Sequence, residues 1–262
     1  MYVSIDMGGT YTRIASSQDL HSIYKSIKFN TKKELIDQKN TISYYIKKLS
    51  EGEKILAICL GVPGTLDIKN KKYLKFKNYR VLENTPFDSL ISDDLKNIPL
   101  TVVNDAHMAG YMEAVKGSGK EYEKVLYLSI GTGIGGIWVK NQNIDDIFLN
   151  FEPGHDCIFS DGLDFGEHCS GREFKRIYGI GPNNDTPTEI WKSYAKELSK
   201  GISFLNNKYP SDVTVLGGGF SVNNYDYFKG FLPENINIKL AKYGDESGIL
   251  GGLEILFRKR LS

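Results

Sequence analysis

Two glycine-rich turns carry the residue types that can do chemistry. The chain begins MYVSIDMGGTYTR, in which a short apolar strand leads into Asp6 and then two glycines. Glycine allows a large group to approach the backbone closely, and a carboxylate at the end of a strand can act on a metal ion or its water ligands. Thr10 and Thr12 add hydroxyl groups beside this turn. The pattern predicts a site for a phosphate group or a metal ion.

A second turn lies in the segment VLYLSIGTGIGGIWV. Gly131, Gly133 and Gly136 fit the spacing G-x-G-x-x-G, but a dinucleotide-binding fold requires a helix directly afterwards, and GIWVK is typical of a strand. We therefore interpret the segment as a β-hairpin whose backbone N–H groups form a concave site for an anion, with the hydroxyl of Thr132 beside them. A tight hairpin without a ligand is the alternative for either turn.

The two turns lie in segments that resemble each other. YVSIDMGG and YLSIGTGI start 125 residues apart and share a tyrosine, a serine and an isoleucine at corresponding positions. Unless the agreement is due to chance, it predicts two related α/β lobes with one phosphate loop each. Two such turns from opposite lobes would clamp one polyphosphate tail.

The spacing of apolar residues predicts the elements that position these turns. The predicted elements follow in this order: strands at 2–6, 12–17 and 22–29, a helix at 31–50, a strand at 54–61, a strand in LTVVND, a helix at 106–116, the hairpin of the second turn, helices at 167–178 and 186–208, a strand in VTVLGGG and a helix over the last twenty residues. The basic segment KNKKYLKFKNYR is interpreted as a half-solvated hairpin with Leu74, Phe76 and Asn78 on one face and Lys75, Lys77 and Tyr79 on the other. A surface for single-stranded nucleic acid or for an extended anionic phosphate donor is the alternative.

Composition limits the classes of function. The 262 residues are 40% hydrophobic and 25% charged, with 33 basic and 32 acidic side chains, which is typical of a globular protein and provides no cationic field for nucleic acid or a membrane surface. No apolar run approaches the roughly 20 residues of a membrane-spanning helix, and the first residues resemble a strand rather than a secretion signal. Three cysteines are too few for a disulfide framework and favour the cytoplasm.

The motifs around the turns resemble those of the ROK sugar kinases, within the actin-like ATPase superfamily. DMGGTYTR, GVPGTLD, VVNDAHMAGYMEA, SIGTGIGGIWV, EPGH, CSGREF, VLGGGFS and GDESGILGG follow in the order of that family, from residue 3 to about residue 252. The resemblance implies an α/β fold of two actin-like (ribonuclease H-like) lobes with a cleft between them. Residues 1–105 would form the N-terminal lobe, with a helix at about 244–262 packing back onto it, and 106–243 the C-terminal lobe.

The resemblance also implies a hexokinase-type enzyme, similar to a glucokinase, that transfers the γ-phosphoryl group of ATP to the 6-hydroxyl of an aldohexose with the help of Mg²⁺. Asp105 would be the catalytic base, although an Asn or Asp at this position also fits a helix cap. The implied sugar ligands are Gly64, Asn104, Asp105, Glu152, His155 and Glu167. The implied ATP and phosphate ligands are Asp6, Gly8, Gly9, Thr10, Thr12, Gly131, Thr132, Gly133, Gly217 and Gly218, with Asp6 acting on the magnesium, directly or through water.

The chain departs from the family at a zinc site. Many members combine the histidine of E-x-G-H with a C-x-C-G-x-x-G-C cluster, which this sequence lacks. A rearranged site would have to use the remaining candidates: His155, Cys157, His168 and Cys169. Since His168 and Cys169 are adjacent and would diverge by about 100° on a helix, we expect no structural zinc. The same loss leaves Glu167 or Glu173 as the second glutamate of the sugar site, and we favour Glu167.

Several alternatives stay open from the sequence. An N-acetylhexosamine kinase, a fructokinase or a kinase that uses polyphosphate would carry the same motifs. A non-catalytic sugar-sensing regulator is the alternative from a different class, but the first phosphate strand starts at residue 3 and leaves no room for an N-terminal helix-turn-helix. We expect a cytoplasmic homodimer whose partner is a small-molecule sugar rather than nucleic acid or a membrane.

Overall fold

The computed structural model describes residues 1–76, 79–144, 150–156 and 158–261. It divides into two compact units. The first unit comprises Met1–Met112 and Glu246–Ser262, and the second unit comprises Glu113–Asp245. No helix among the described residues is long and apolar enough to cross a membrane.

The first unit is built on a five-stranded sheet, counted over the described residues. Its strands are β1 (Tyr2–Met7), β2 (Tyr11–Ser17), β3 (Lys25–Asn30), β4 (Ala57–Val62) and β7 (Leu100–Asn104). Their order is β3-β2-β1-β4-β7, with β1 antiparallel to β2 and parallel to β4. Strand β4 is apolar throughout and β1 is apolar except at Ser4 and Asp6, because both faces of these central strands are covered, as in parallel sheets generally.

Three helices cover this sheet: α1 (Leu35–Ser50), α2 (Asp105–Val115) and α8 (Ser247–Leu261). Alternate residues of β4 face opposite ways, because Leu60 joins the same core cluster as Ile46 of α1, whereas Cys59 packs with Met108 of α2 and Leu253 of α8. Helix α8 lies directly against β1 and β4. The sequence segment GILGG thus forms the tightly packed start of a helix in the first unit.

A small hairpin precedes β7, formed by β5 (Thr65–Asp67) and β6 (Lys72–Lys75). It confirms a hairpin in the basic segment, but the expectation that Leu74 and Phe76 share a face is wrong. Leu74 is 39% exposed, whereas Phe76 is buried together with Tyr73. Strand β6 ends at Lys75 and the pairing carries a register shift, so the period-two alternation does not continue. Lys77 and Asn78 lie outside the described residues.

The second unit repeats the same topology with four strands in its described part. They are β8 (Lys124–Ile130), β9 (Ile134–Lys140), β10 (Val213–Gly217) and β11 (Ile238–Leu240), in the order β11-β10-β8-β9. Strand β8 is antiparallel to β9 and parallel to β10, as β1 is antiparallel to β2 and parallel to β4. The order β2-β1-β4-β7 therefore corresponds to β9-β8-β10-β11, which agrees with the internal repeat expected from the sequence.

The helices of the second unit enclose an aromatic core. They are α3 (Pro153–Asp156), α4 (Phe165–Cys169), α5 (Gly171–Tyr178), α6 (Thr188–Lys208) and α7 (Gly219–Phe228). Phe165, Phe174, Trp191, Tyr194 and Phe220 pack in one buried cluster. The single helix predicted at 167–178 is two helices, and helix α7 and strand β11 were not predicted. Helix α6 precedes β10 in the second unit as α1 precedes β4 in the first, so the repeat includes a helix as well as the strands.

Candidate active site

The candidate residues fall into the two units. Asp6, Gly8, Gly9, Thr10, Thr12, Gly64, Asn104 and Asp105 belong to the first unit, and Gly131, Thr132, Gly133, Glu152, His155, Glu167, Gly217 and Gly218 to the second. Within each unit they gather at the ends of strands and the starts of helices.

Asp6 lies at the end of β1, opposite Arg13 of β2. Its Oδ2 lies 3.9 Å from Nη1 of Arg13, and the aspartate side chain is 16% exposed. A Cβ on Gly248, in the first turn of α8, would lie only 2.4 Å from the same oxygen. The carboxylate is therefore fixed close to a helix N-terminus, where negative charge is favoured. A partly exposed carboxylate oxygen suits magnesium or its water ligands.

The turn after Asp6 is held by neighbouring backbone and by Thr31. The N–H of Gly8 donates to the carbonyl of Tyr11 at 2.9 Å, and the hydroxyl of Thr31 donates to the carbonyl of Gly8 at 2.8 Å. The N–H of Thr31 donates to the carbonyl of Thr10 at 3.0 Å. Gly9 and Thr10 are exposed on this anchored turn, which leaves both accessible to a ligand.

Thr12 does not line the turn, contrary to the expectation that its hydroxyl would meet a phosphate. Its side chain is fully buried. Its Oγ1 accepts a hydrogen bond from Nε2 of Gln38 at 2.8 Å and lies 3.0 Å from Oγ1 of Thr31. The residue stands at the start of β2, paired with Met7, so the sheet directs it into the core. Through these hydrogen bonds Thr12 stabilises the strand that follows the turn, and its hydroxyl does not contact a phosphate bound at the turn.

Asn104 caps helix α2 and leaves Asp105 as the first helical residue. The Oδ1 of Asn104 accepts hydrogen bonds from the N–H groups of Ala106 at 2.9 Å and His107 at 3.2 Å. Oδ1 of Asp105 accepts from the N–H of Ala106 at 2.8 Å. Asn104 therefore carries most of the cap function that the sequence left open, because it bonds both N–H groups, and Asp105 shares only that of Ala106. The carboxylate of Asp105 stands at the rigid junction of β7 and α2.

The same asparagine fixes the loop that contains Gly64. Nδ2 of Asn104 donates to the carbonyl of Gly64 at 2.9 Å. Gly64 has a φ of +96°, and a Cβ there would lie 2.1 Å from the carbonyl oxygen of Lys75. Only glycine fits this conformation and this contact. Asn104 thus joins the Gly64 loop to the residue that carries the candidate base.

The second turn is anchored through the carbonyl of Gly131, and there is free space over Gly131 and Gly133. The N–H of Gly171 donates to the carbonyl of Gly131 at 2.7 Å, and the N–H of Gly131 donates to the carbonyl of Gly133 at 2.9 Å. A Cβ at Gly131 or Gly133 would meet nothing within 4 Å, whereas one at Gly136 would lie 2.3 Å from the carbonyl oxygen of Tyr127. The fold requires Gly136, but it does not require the other two. Space over a glycine backbone is what a phosphate group needs.

Gly217 and Gly218 have a packing role beside this turn. A Cβ at Gly217 would lie 2.2 Å from the hydroxyl of Tyr127, and one at Gly218, whose φ is +82°, would lie 2.5 Å from the carbonyl oxygen of Ile130. Gly218 is the N-cap residue of α7 and makes no side-chain cap. These glycines bring the start of α7 against the end of β8, next to the open turn.

Glu152 directly precedes helix α3, and His155 lies within this helix. The carbonyl of Glu152 accepts hydrogen bonds from the N–H groups of His155 at 2.8 Å and Asp156 at 2.9 Å. Burial raises the pKa of the Glu152 carboxyl above its ordinary value, the neighbouring His155 lowers this pKa, and Asp156 raises it further. A Cβ at Gly154 would lie 2.4 Å from the carbonyl oxygen of Ile134, so α3 is pressed onto β9. The two side chains are positioned by the strand that follows the open turn.

Asp164 is a residue that the sequence reasoning missed. Its Oδ2 lies 2.6 Å from Nδ1 of His155. Its Oδ1 accepts from the N–H of Glu167 at 2.7 Å, while Oε2 of Glu167 accepts from the N–H of Asp164 at 2.9 Å, which completes a capping box for α4. The spacing D-x-x-E could have indicated this cap. The other candidate glutamate, Glu173, pairs with Arg176 of α5 instead.

The candidates for a rearranged zinc site point in different directions. Nε2 of His168 lies 3.0 Å from Oδ2 of Asp161, whereas the side chain of Cys169 is buried in the aromatic core. Over the described residues, no group of three or more His, Cys, Asp and Glu side chains is arranged to hold a metal ion. Cys157 lies outside the described residues. The described ligands do not fit a zinc ion.

The chain belongs to the ROK family, because the model of that family matches residues 2–169. The N-acetyl-D-glucosamine kinase of Haemophilus influenzae (strain 86-028NP) is 25% identical over 99% of this chain and 100% of its own length. The fructokinase of Lactococcus lactis subsp. cremoris is 32% identical over 83% of this chain and 78% of its own length. The crystal structure of a ROK family glucokinase from Streptomyces griseus in complex with glucose and AMPPNP matches with a TM-score of 0.81 at 20% identity, over 97% of this chain and 98% of that one. The predicted family and the α/β fold with two actin-like lobes are confirmed.

Proposed function

We propose that the protein is an ATP-dependent hexose kinase that transfers the γ-phosphoryl group to the 6-hydroxyl of an aldohexose. The observation that carries the proposal is the arrangement at the start of α2, where Asn104 takes over the helix cap and Asp105 presents its carboxylate beside it. The side chain of Asn104 bonds both to the helix and to the loop of Gly64, so it cannot move far, and the adjacent Asp105 is rigidly placed. Rigid placement of a proton acceptor is what phosphoryl transfer demands of a protein.

Asp105 acts as the general base in this proposal. A carboxylate with an ordinary pKa suffices, because the sugar hydroxyl becomes acidic only as its bond to phosphorus forms. Oδ1 of Asn104 is used in the helix cap, and one N–H of its Nδ2 donates to Gly64. In this proposal the second N–H of Nδ2 donates to a sugar hydroxyl. Gly64 lies in the loop that Asn104 fixes, which makes its backbone a second contact for the sugar.

The second unit offers its own candidate contacts for a sugar and a nucleotide. Glu152 and His155 offer a carboxylate and an imidazole to sugar hydroxyls, and Glu167 is the third candidate, although one of its oxygens is used in the capping box. The space over Gly131 and Gly133 fits a phosphate chain that approaches the backbone. Thr132 is exposed between them and offers a hydroxyl.

Asp6 is the residue that would hold magnesium, through its carboxylate or through water. Bound magnesium supplies charge neutralisation on the transferred phosphoryl group. The carboxylate fits this function because it is partly exposed and is held by Arg13 and by the start of α8. We expect phosphorylation to require Mg²⁺ and to stop in excess EDTA.

The identity of the sugar is the open part of the proposal. Glucose is the first expectation. N-acetyl-D-glucosamine is the second, because the alignment with the Haemophilus influenzae relative covers 99% of the chain, and fructose is the third, because the Lactococcus lactis relative has the higher identity. We expect a homodimer, which light scattering after size-exclusion chromatography would test.

A panel of sugars and donors tests the function. The wild-type protein is assayed for sugar phosphate formation with glucose, N-acetyl-D-glucosamine, N-acetyl-D-mannosamine and fructose, each with ATP and with polyphosphate. We expect ATP-dependent phosphorylation of at least one sugar. If the protein binds a sugar but phosphorylates none with either donor, it is a sugar-sensing regulator and the kinase proposal is wrong.

A further inference from the structure

We infer that Asp164 is the positioning residue of the sugar site: it fixes the ring and the proton of His155 and, through the capping box, joins His155 to Glu167. This inference rests on the proposed function, in which His155 and Glu167 contact the sugar. The resemblance to the family raised a zinc ion as the partner of this histidine. In the described residues, a carboxylate is the partner instead.

The contact between His155 and Asp164 has the geometry of a well-defined hydrogen bond rather than that of an incidental surface pair. His155 is 53% exposed at its side chain, so it would be mobile if it were not held, whereas the side chain of Asp164 is only 15% exposed. The 2.6 Å distance is in the range of charge-assisted hydrogen bonds. Asp164 is itself immobilised, because its other oxygen and its N–H both bond to Glu167.

The carboxylate also decides which nitrogen of the ring carries the proton. An ionised carboxylate can only accept, so Nδ1 of His155 must carry the hydrogen that it donates to Oδ2 of Asp164. In the neutral ring Nε2 is then bare and accepts a hydrogen bond from a sugar hydroxyl. Such control of the tautomer by the partner of the other nitrogen is a general property of histidine sites.

A purely structural role for Asp164, as the N-cap of α4, is the competing explanation. Two substitutions separate the roles. Asp164→Ser keeps a side-chain acceptor for the N–H of Glu167, but serine has no second oxygen to reach His155. Asp164→Asn keeps the cap, and the cap dictates the amide orientation: Oδ1 faces the N–H of Glu167, so Nδ2 faces His155 and donates to Nδ1. The proton of His155 is thereby moved to Nε2.

The chain offers a matched control in the same loop. Asp161 forms the corresponding pair with His168, and Asp161→Asn changes the same charge without touching His155. Ring nitrogen shifts of ¹⁵N-histidine-labelled protein report the tautomers directly. The chain has only four histidines, and the resonance of His155 is assigned with His155→Gln.

In the wild type at a pH where the ring is neutral, His155 carries its proton on Nδ1, and in Asp164→Asn it carries the proton on Nε2. Both Asp164 variants raise the KM for the sugar about tenfold, the size of one hydrogen bond, with kcat changed less than about threefold and the KM for ATP unchanged. Asp161→Asn leaves all three constants within about twofold, which is the range expected for an exposed pair.

Other results overturn the inference. An Nε2-protonated His155 in the wild type would show that Asp164 does not hold the ring, and an unchanged sugar KM in both Asp164 variants would show that the contact has only the capping role. A wild type that phosphorylates no sugar would refute the proposed function, and the tautomer measurement would still decide whether Asp164 holds His155.

Discussion

The glycines of the second turn allow a sharp test, because the structure separates those that the fold requires from those that it does not. A methyl group added at Gly131 meets no atom within 4 Å, so Gly131→Ala should leave the free energy of unfolding unchanged or raise it by up to about 1 kcal/mol through the unfolded chain. A methyl group at Gly136 would lie 2.3 Å from the carbonyl oxygen of Tyr127. Gly136→Ala should therefore lower the free energy of unfolding by about 1–3 kcal/mol.

The effects on nucleotide binding should be reversed. If a phosphate chain occupies the space over Gly131, the added methyl group displaces it, and the KM for ATP rises about tenfold or more, which corresponds to about 1.4 kcal/mol. Gly136→Ala, assayed at a temperature where it is folded, should keep the wild-type KM for ATP. Urea unfolding and steady-state kinetics on both variants, with Gly133→Ala as a second open position, give the comparison. The reasoning fails if Gly131→Ala and Gly133→Ala both bind ATP as the wild type does.

Two further predictions concern the fully buried Thr12 and the half-buried Glu152. Thr12→Val removes the hydroxyl that accepts a hydrogen bond from Gln38 and leaves this buried donor unpaired. The free energy of unfolding should therefore fall by about 1–3 kcal/mol, and the KM for ATP should stay within twofold of wild type. A higher KM for ATP without loss of stability would show that Thr12 contacts the phosphate. Burial raises the pKa of Glu152 in the folded protein, so its ionisation costs stability once the pH exceeds the ordinary pKa of 4.5. Glu152→Gln should therefore unfold at higher temperature than wild type at pH 8 and at the same temperature at pH 4, with weaker sugar binding; equal melting temperatures at pH 8 would contradict this sign.

The sequence predicts those features that depend on local pattern. Alternating apolar residues broken by glycines indicate both hairpins, and the 3.6-residue spacing indicates α6 almost to its ends. The repeat at residue level predicts a repeat of strand order, which the two sheets have. The hairpins and α6 follow from residues close together in the chain, and the repeat follows from the likeness of two short local segments.

Features that depend on contacts between distant residues could not be read in the same way. Thr12 follows a glycine turn and resembles a phosphate ligand, but Gln38 lies 26 positions further along the chain and Thr31 lies 19, and together they occupy its hydroxyl. The helix expected at 167–178 breaks at Ser170, where the N–H of the following glycine bonds to the turn 40 residues earlier. Asp164 was missed because the position of its partner His155 depends on the packing of α3 on β9, which the sequence does not show.

The central claim is that Asp105 accepts the proton of the sugar hydroxyl, and a comparison of kcat with sugar affinity tests it most directly. The variants are Asp105→Asn and, as a matched control, Asp37→Asn, which changes an exposed aspartate in the first turn of α1. General-base catalysis contributes about 10²- to 10⁴-fold, so kcat of Asp105→Asn should fall by at least 10² while calorimetry gives a sugar Kd within about fivefold of wild type. Asp37→Asn should match wild type in both quantities. A kcat of Asp105→Asn within about threefold of wild type would show that the carboxylate only helps to start the helix, and the claim would be wrong.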